Sequence, residues 1–223
     1  MIRENLLQQP LFSLWLNPDE TAVSAGELVF GGINPARYTG QLQELATVDN
    51  STGGWQTAVD GITVGNQTLE GLQAISAVLD SGTTQIFGSQ NDFDIINQVV
   101  ANMSFPLTYS PYHDAYITPC GDSINGGLPT IGFIMNGTAC EIPPSAWINT
   151  VAFSAETDPN YHGQLCASSI VPSPPDSDSS PGTTITLRQA FMRQYLTVNN
   201  IDPVSLQASS ILIAPAAPGL SAA

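Results

Sequence analysis

The 223-residue sequence contains no lysine and only four arginines against 19 acidic residues, a formal charge of −15. Contacts to a phosphate backbone require a basic surface, so nucleic-acid binding is excluded as a role. A chain this acidic repels itself at neutral pH and loses the repulsion as its carboxylates protonate, so the composition suits an acidic medium. No apolar run approaches the roughly 20 residues of a membrane-spanning helix, and the longest near the start, Leu11–Leu16, is interrupted by Ser13. The N-terminus, where Arg3 and Glu4 precede Gln8, Gln9 and Pro10, also lacks the apolar core of a secretory signal.

Ligating and nucleophilic side chains are equally scarce. His113 and His162 have no ligand partner at useful spacing and read as loop residues, so no metal centre is expected. There is no Gly-x-Ser-x-Gly elbow, no phosphate-binding glycine loop and no Cys-x-x-Cys pair, and no cofactor is expected. Cys120, Cys140 and Cys166 allow one disulfide with one thiol left over, or three reduced thiols in a core.

What the chain does have is punctuation. Its 19 glycines and 17 prolines separate short apolar runs, the pattern of one all-β domain rich in turns. Strand-like runs rich in β-branched and aromatic residues occur at 11–16, 27–30, 54–64, 74–79, 130–135, 184–187, 194–198 and 210–213. The best helical signal covers 90–102, where Phe93, Ile96 and Val100 recur at helical spacing behind Ser89 as N-cap, with two Asp in the first turn. A weaker one covers 187–195. The stretch PSPPDSDSSP at 172–181 reads as an exposed loop, and the tail at 216–223 as frayed. N-x-S/T sequons at Asn50, Asn66, Asn102 and Asn136 are glycosylation candidates usable only in the secretory pathway.

One stretch carries chemistry. The apolar run Ala77, Val78, Leu79 leads directly into Asp80, Ser81, Gly82, Thr83 and Thr84. A carboxylate at the end of a buried strand is partly desolvated, and the neighbouring hydroxyls and the amides after Gly82 can donate to it. The functional reading is a general acid/base with its own supporting donors. The structural alternative is an ordinary Asp-Ser-Gly turn joining two strands.

Asp80 to Thr83 match the D-[ST]-G-[ST] signature of pepsin-like aspartic peptidases, and the surrounding segments resemble that family in order. Segment 10–17, PLFSLWLN, looks like the link between the family's two lobes. Segment 26–32, GELVFGG, with Asn34, Tyr38 and Gly40, is similar to the opening of its second lobe, and Trp55 with 60–65, DGITVG, to the next hairpin. Segments 128–133, LPTIGF, and 190–198, AFMRQYLTV, resemble its later strand and its penultimate helix and strand.

The resemblance implies an all-β, pepsin-like lobe with short helices: residues 1–16 as the inter-lobe link, 17–215 as the C-terminal lobe, and 216–223 as tail. It implies an aspartic endopeptidase in which Asp80 is one of two catalytic carboxylates. Ser81 would tie the active-site loops together, Gly82 would allow close approach, Thr83 would hydrogen-bond the carboxylate, and Thr84 could meet substrate. By position Cys120 and Cys166 would form the family's disulfide, leaving Cys140 as the odd thiol.

The partners implied are a polypeptide substrate and either a missing N-terminal lobe or a second copy of the chain, with secretion or a vacuolar destination if an upstream region supplies a signal. The family's first lobe carries its own D-T-G motif and a flap tyrosine, and this sequence starts after both. Neither Asp60-Gly nor Asp122-Ser fits a second signature. Arg188 stands where the family has a glycine packed against the Asp-Ser-Gly loop. A cation there either reaches Asp80 or swings outward and displaces the backbone.

Overall fold

The structure, a computed structural model, describes residues 1–19, 22, 24–48, 54–103, 107–110, 115–120, 127–150, 165–173 and 183–219. His113, His162, Asn50, most of the Pro/Ser/Asp stretch and the last four residues lie outside them. Strands dominate and the helices are short, as expected of an all-β lobe. Among the described residues the strands form four sheets.

Leu11–Leu16 is apolar at every position but Ser13, and each face finds its own core. Leu11 and Trp15 bury against Leu196 and Val198, while Leu14 and Leu16 pack on the main core. The strand pairs antiparallel with Gly26–Phe30 on one side and Tyr195–Ile201 on the other. Ala208–Pro215 and then Gln43–Ala46 complete this five-stranded sheet. The segment that resembles an inter-lobe link is therefore bonded on both sides.

A second sheet holds the strand order Ile170–Pro172, Ile86–Gly88, Thr184–Leu187, Ser76–Leu79, Gln56–Ala58. It contains two parallel pairings, Thr184–Leu187 on Ser76–Leu79 and Ile170–Pro172 on Ile86–Gly88. A third is built on the hairpin Ile131–Met135 and Thr138–Ile142, and a fourth on Ala115–Pro119 and Leu165–Ser168. Phe133 of the third sheet meets Phe191 edge-on at 5.9 Å, and Phe191 stacks on Tyr195 of the first at 5.0 Å. Burying such rings contributes about 1.5–3 kcal/mol each.

Several boundaries differ from the sequence expectation. The run 54–64 is two strands in two sheets: Gln56–Ala58 joins the second, and Gly61–Val64 pairs with Ile131–Met135 in the third. The switch occurs at Val59 and Asp60, whose amides donate to Ile75 O and Ile134 O. The helix expected over 90–102 is Gln90–Ala101, with Ser89 Oγ accepting the Asp92 amide as its N-cap. The helix expected over 187–195 shrinks to Gln189–Met192, because Leu187 ends one strand and Tyr195 begins another.

The chain also stays ordered beyond Pro215. Ala216 bridges to Tyr38, the Ala217 amide donates to Arg37 O, and Trp15 Nε1 donates to Ala217 O at 3.0 Å. Residues 216 and 217 thus correct the expectation of a tail that frays from 216 onward; a buried indole N–H needs its acceptor.

Cys120 and Cys166 form a disulfide, and Cys140 is free and buried, 1% exposed. Burial pushes the Cys140 thiol up to about 12. Alkylation of the native protein at mildly alkaline pH is expected to leave Cys140 unmodified and to label it only after unfolding, as non-reducing peptide mapping would read. Removing the disulfide, which joins residues 46 apart, should cost about 4 kcal/mol in denaturant titration by the chain-entropy account.

Candidate active site

Asp80 sits where the second sheet runs out. Ser76–Leu79 is bonded on both sides, parallel to Thr184–Leu187 and antiparallel to Gln56–Ala58. Ala77 and Leu79 are buried and Val78 half-buried, so the strand after Ser76 is an apolar run. The ladder continues one step further, with the Asp80 amide donating to Leu187 O at 3.0 Å. The chain then turns, and the Gly82 amide donates to Asp80 Oδ1 at 2.8 Å. A methyl group on Gly82 would lie 3.0 Å from that same oxygen, so the close approach uses the missing side chain.

The turn after Thr184–Leu187 is zipped onto this loop. Gln189 and Ala190 amides donate to Thr83 O and Thr84 O, both at 3.1 Å, and Gln189 Nε2 donates to Ser81 O at 3.0 Å. Residues 80–84 and 187–190 therefore form one unit, and the strand Ile86–Gly88 returns beside it with Phe87 opposite Thr186.

Arg188 does not swing outward. Its Nη2 lies 3.2 Å from Asp80 Oδ2, its Nη1 donates to Thr83 Oγ1, and its guanidinium stacks 4.7 Å from the centre of the Phe87 ring. The backbone at Arg188 is extended, φ −113°, a conformation open to any L-residue, so the side chain is accommodated without left-handed strain. Thr83 Oγ1, which the resemblance assigns to the carboxylate, is engaged by the guanidinium. Asp80 is 38% exposed and Arg188 20%. Water screens a pair this open, so its importance is where it puts charge rather than how much it stabilises the lobe.

Other sequence candidates are placed apart from this unit or serve the scaffold. Asp60 Oδ2 accepts the Gly137 amide at 2.8 Å and closes a hairpin turn. Asn66, Asn102 and Asn136 are exposed, and Asn136 Nδ2 donates to Glu44 O. No group of three His, Cys, Asp or Glu that could hold a metal occurs among the described residues. No described helix is long and apolar enough to cross a membrane.

Sequence reasoning missed Phe87, Gln189 and the second role of Asp92. The sequence shows Asp92 only as an acidic residue suited to a helix start. Fully buried, it also accepts the amides of Gln73 at 2.6 Å and Ala74 at 3.0 Å, fixing the approach to the strand that delivers Asp80. The local spacing of an acidic residue after an N-cap announces the first role; the second needs two segments brought together in space.

A carboxylate delivered by a parallel strand into an Asp-Ser-Gly loop, in a lobe of short strands, defines an acid-protease type of lobe. The sequence comparison agrees: a model of the eukaryotic aspartyl protease family matches residues 1–211, and the chain belongs to that family. Cathepsin E of Rattus norvegicus is 29% identical over 148 residues, 66% of this chain and 34% of its own length. Pepsin A of Suncus murinus is 29% identical over 198 residues, 89% of this chain and 45% of its own length. The chain thus spans less than half the length of these curated relatives.

The Asp92 clamp generates a stability prediction. Asp92→Asn places an amide N–H₂ where an acceptor is needed and should lose about 1–3 kcal/mol in urea denaturation, whereas Gln98→Ala, on the exposed side of the same helix, should stay within about 0.5 kcal/mol.

Proposed function

We propose that the chain is the C-terminal lobe of an acid endopeptidase, with Asp80 as one of its two catalytic carboxylates. The observation that carries this is the site's construction: Asp80 at the end of a doubly bonded strand, its carboxylate held by the Gly82 amide. In such a pair the two carboxylates share one proton, because both cannot ionise side by side. One takes a proton from water as it attacks the peptide carbonyl, and the other donates a proton to the substrate. The second carboxylate would come from an N-terminal lobe joined through the segment 1–16.

Ser81 would tie the two active-site loops, Gly82 and Thr83 would support the Asp80 loop, and Thr84 would face the substrate. The substrate class is polypeptide. A secretory or vacuolar setting is favoured by the sequons, the acidic composition and the disulfide.

Arg188 favours a second reading, a peptide-binding lobe whose chemistry is suppressed. A permanent cation 3.2 Å from Asp80 Oδ2 occupies one of the two carboxylate oxygens that the reaction would use.

The chain alone should not hydrolyse acid-denatured protein at a rate near that of a two-lobed relative, because one carboxylate cannot be both acid and base. Fusion to the N-terminal lobe of a pepsin-like relative should restore turnover in acid, and Asp80→Asn should abolish it. In the same fusion, Arg188→Gly should raise turnover at least tenfold. Equal turnover with Arg188 and with glycine would show that the cation is harmless, and no activity in any fusion would remove the endopeptidase reading.

A further inference from the structure

Asn136 and Gly137 are the two central residues of the hairpin between Ile131–Met135 and Thr138–Ile142, where Met135 pairs with Thr138. Both backbones are left-handed, φ +49° and +71°, the geometry that Asn-Gly supplies in a two-residue turn. Both residues are exposed, and a methyl group built on Gly137 would meet nothing within 4 Å. No neighbouring side chain therefore crowds Gly137.

An open Asn-Gly step carries a reaction of its own. The Gly137 nitrogen, giving up its proton to water or hydroxide, attacks Cγ of Asn136. The N–Cγ bond forms, the Cγ–Nδ2 bond breaks, and Nδ2 leaves as ammonia with a proton from water. Water then opens the succinimide ring at either carbonyl, and the product is aspartate or isoaspartate. Nothing is oxidised or reduced. Glycine favours the attack because it sets no side chain beside the nitrogen.

Here both reacting groups are held. The Gly137 amide donates to Asp60 Oδ2 at 2.8 Å, and Asn136 Nδ2 donates to Glu44 O at 3.1 Å. Asp60 is itself fixed, because its own amide donates to Ile134 O of the same hairpin. Ring closure requires the Gly137 amide to lose the proton it shares with Asp60 and the Asn136 side chain to swing away from Glu44 O, so both bonds are given up first. The carboxylate adds a second obstacle. The attacking nitrogen has to become negative, and a neighbouring anion opposes that charge.

We propose that Asn136–Gly137 is a guarded deamidation site, with Asp60 as its guard. Conversion has a structural consequence. An aspartate at 136 has no N–H for Glu44 O and adds a second carboxylate to the same turn; isoaspartate also lengthens the backbone there. Either product releases the hairpin of the third sheet from the edge strand Gln43–Ala46 of the first. The turn lies apart from Asp80, so the inference does not rest on the hydrolytic reading.

Peptide mapping of the chain produced in bacteria, where the sequon at Asn136 carries no glycan, tests this. The protein is held at mildly alkaline pH, and conversion at Asn136 is followed by mass and by isoaspartate-specific methylation. The folded parent should convert about tenfold or more slowly than the urea-unfolded chain, and Asp60→Ala should recover most of that difference. Asp60→Asn keeps an acceptor for the Gly137 amide without the charge, and its rate should fall between those of the parent and Asp60→Ala. Cys140, on the same hairpin, should stay closed to alkylation in all three folded proteins, which separates loss of the guard from loss of the fold. If Asp60→Ala opens Cys140, the comparison of Asp60→Asn with the parent decides. Asn125–Gly126, the other Asn-Gly of the sequence, should convert at one rate in all three. A parent that converts as fast folded as unfolded would overturn the proposal, as would rates at Asn136 indifferent to Asp60. Slower conversion in Asp60→Ala would do so too, since it would make Asp60 the base of the reaction.

Discussion

The parallel pairing of Ser76–Leu79 with Thr184–Leu187 is the constraint on which the site depends. It joins segments more than a hundred residues apart and sets them in register, so that both strands end at the same level. Asp80 and Arg188 leave the sheet side by side because their predecessors, Leu79 and Leu187, are partners in that register. The bonds between residues 80–84 and 187–190 then follow as the continuation of one ladder. A shift of one residue would turn the side chains of one strand to the other face and separate the carboxylate from the guanidinium.

The scarcity of cations gives each arginine a consequence. Arg37 stacks on Trp15 at 4.2 Å while bonding Glu27, and Arg193 Nη1 donates to Asn17 O. Glu27 is held below the ordinary carboxylate range by the Asn34 amide first and by Arg37 as well. Because its folded value is depressed, this contribution is present above the ordinary carboxylate range and is lost as pH falls through the folded value. Glu27 is well solvated, so the effect is small. Acid simultaneously relieves the self-repulsion of the 19 acidic residues. These opposing trends leave the apolar core and the disulfide, rather than ion pairs, as the supports of the fold that do not depend on pH.

The chain belongs to the aspartyl protease family and carries a single Asp-Ser-Gly sequence, at Asp80–Gly82. In the structure Arg188 is the charged neighbour of Asp80, and Gly26–Phe30 is an edge strand without a second partner strand among the described residues.

The sequence by itself determined the class of fold and the position of the Asp-Ser-Gly loop. Short β-branched runs between glycines and prolines can form only short strands, and an apolar run ending in Asp-Ser-Gly-Thr marks a carboxylate at a strand end. The Ser89 cap and the apolar spacing of Phe93, Ile96 and Val100 made the helix Gln90–Ala101 legible, because those signals are local. Tertiary structure decided what depends on distant segments. It divided the run 54–64 between two sheets, shortened the helix at 189–192 between two strands, and held residues 216 and 217 with an indole from the other end of the chain. It also decided that Arg188 faces Asp80 with its backbone extended. Residue type and spacing limited the alternatives to a cation turned inward or outward; only the parallel register, Phe87 beneath the guanidinium and Thr83 beside it choose between them.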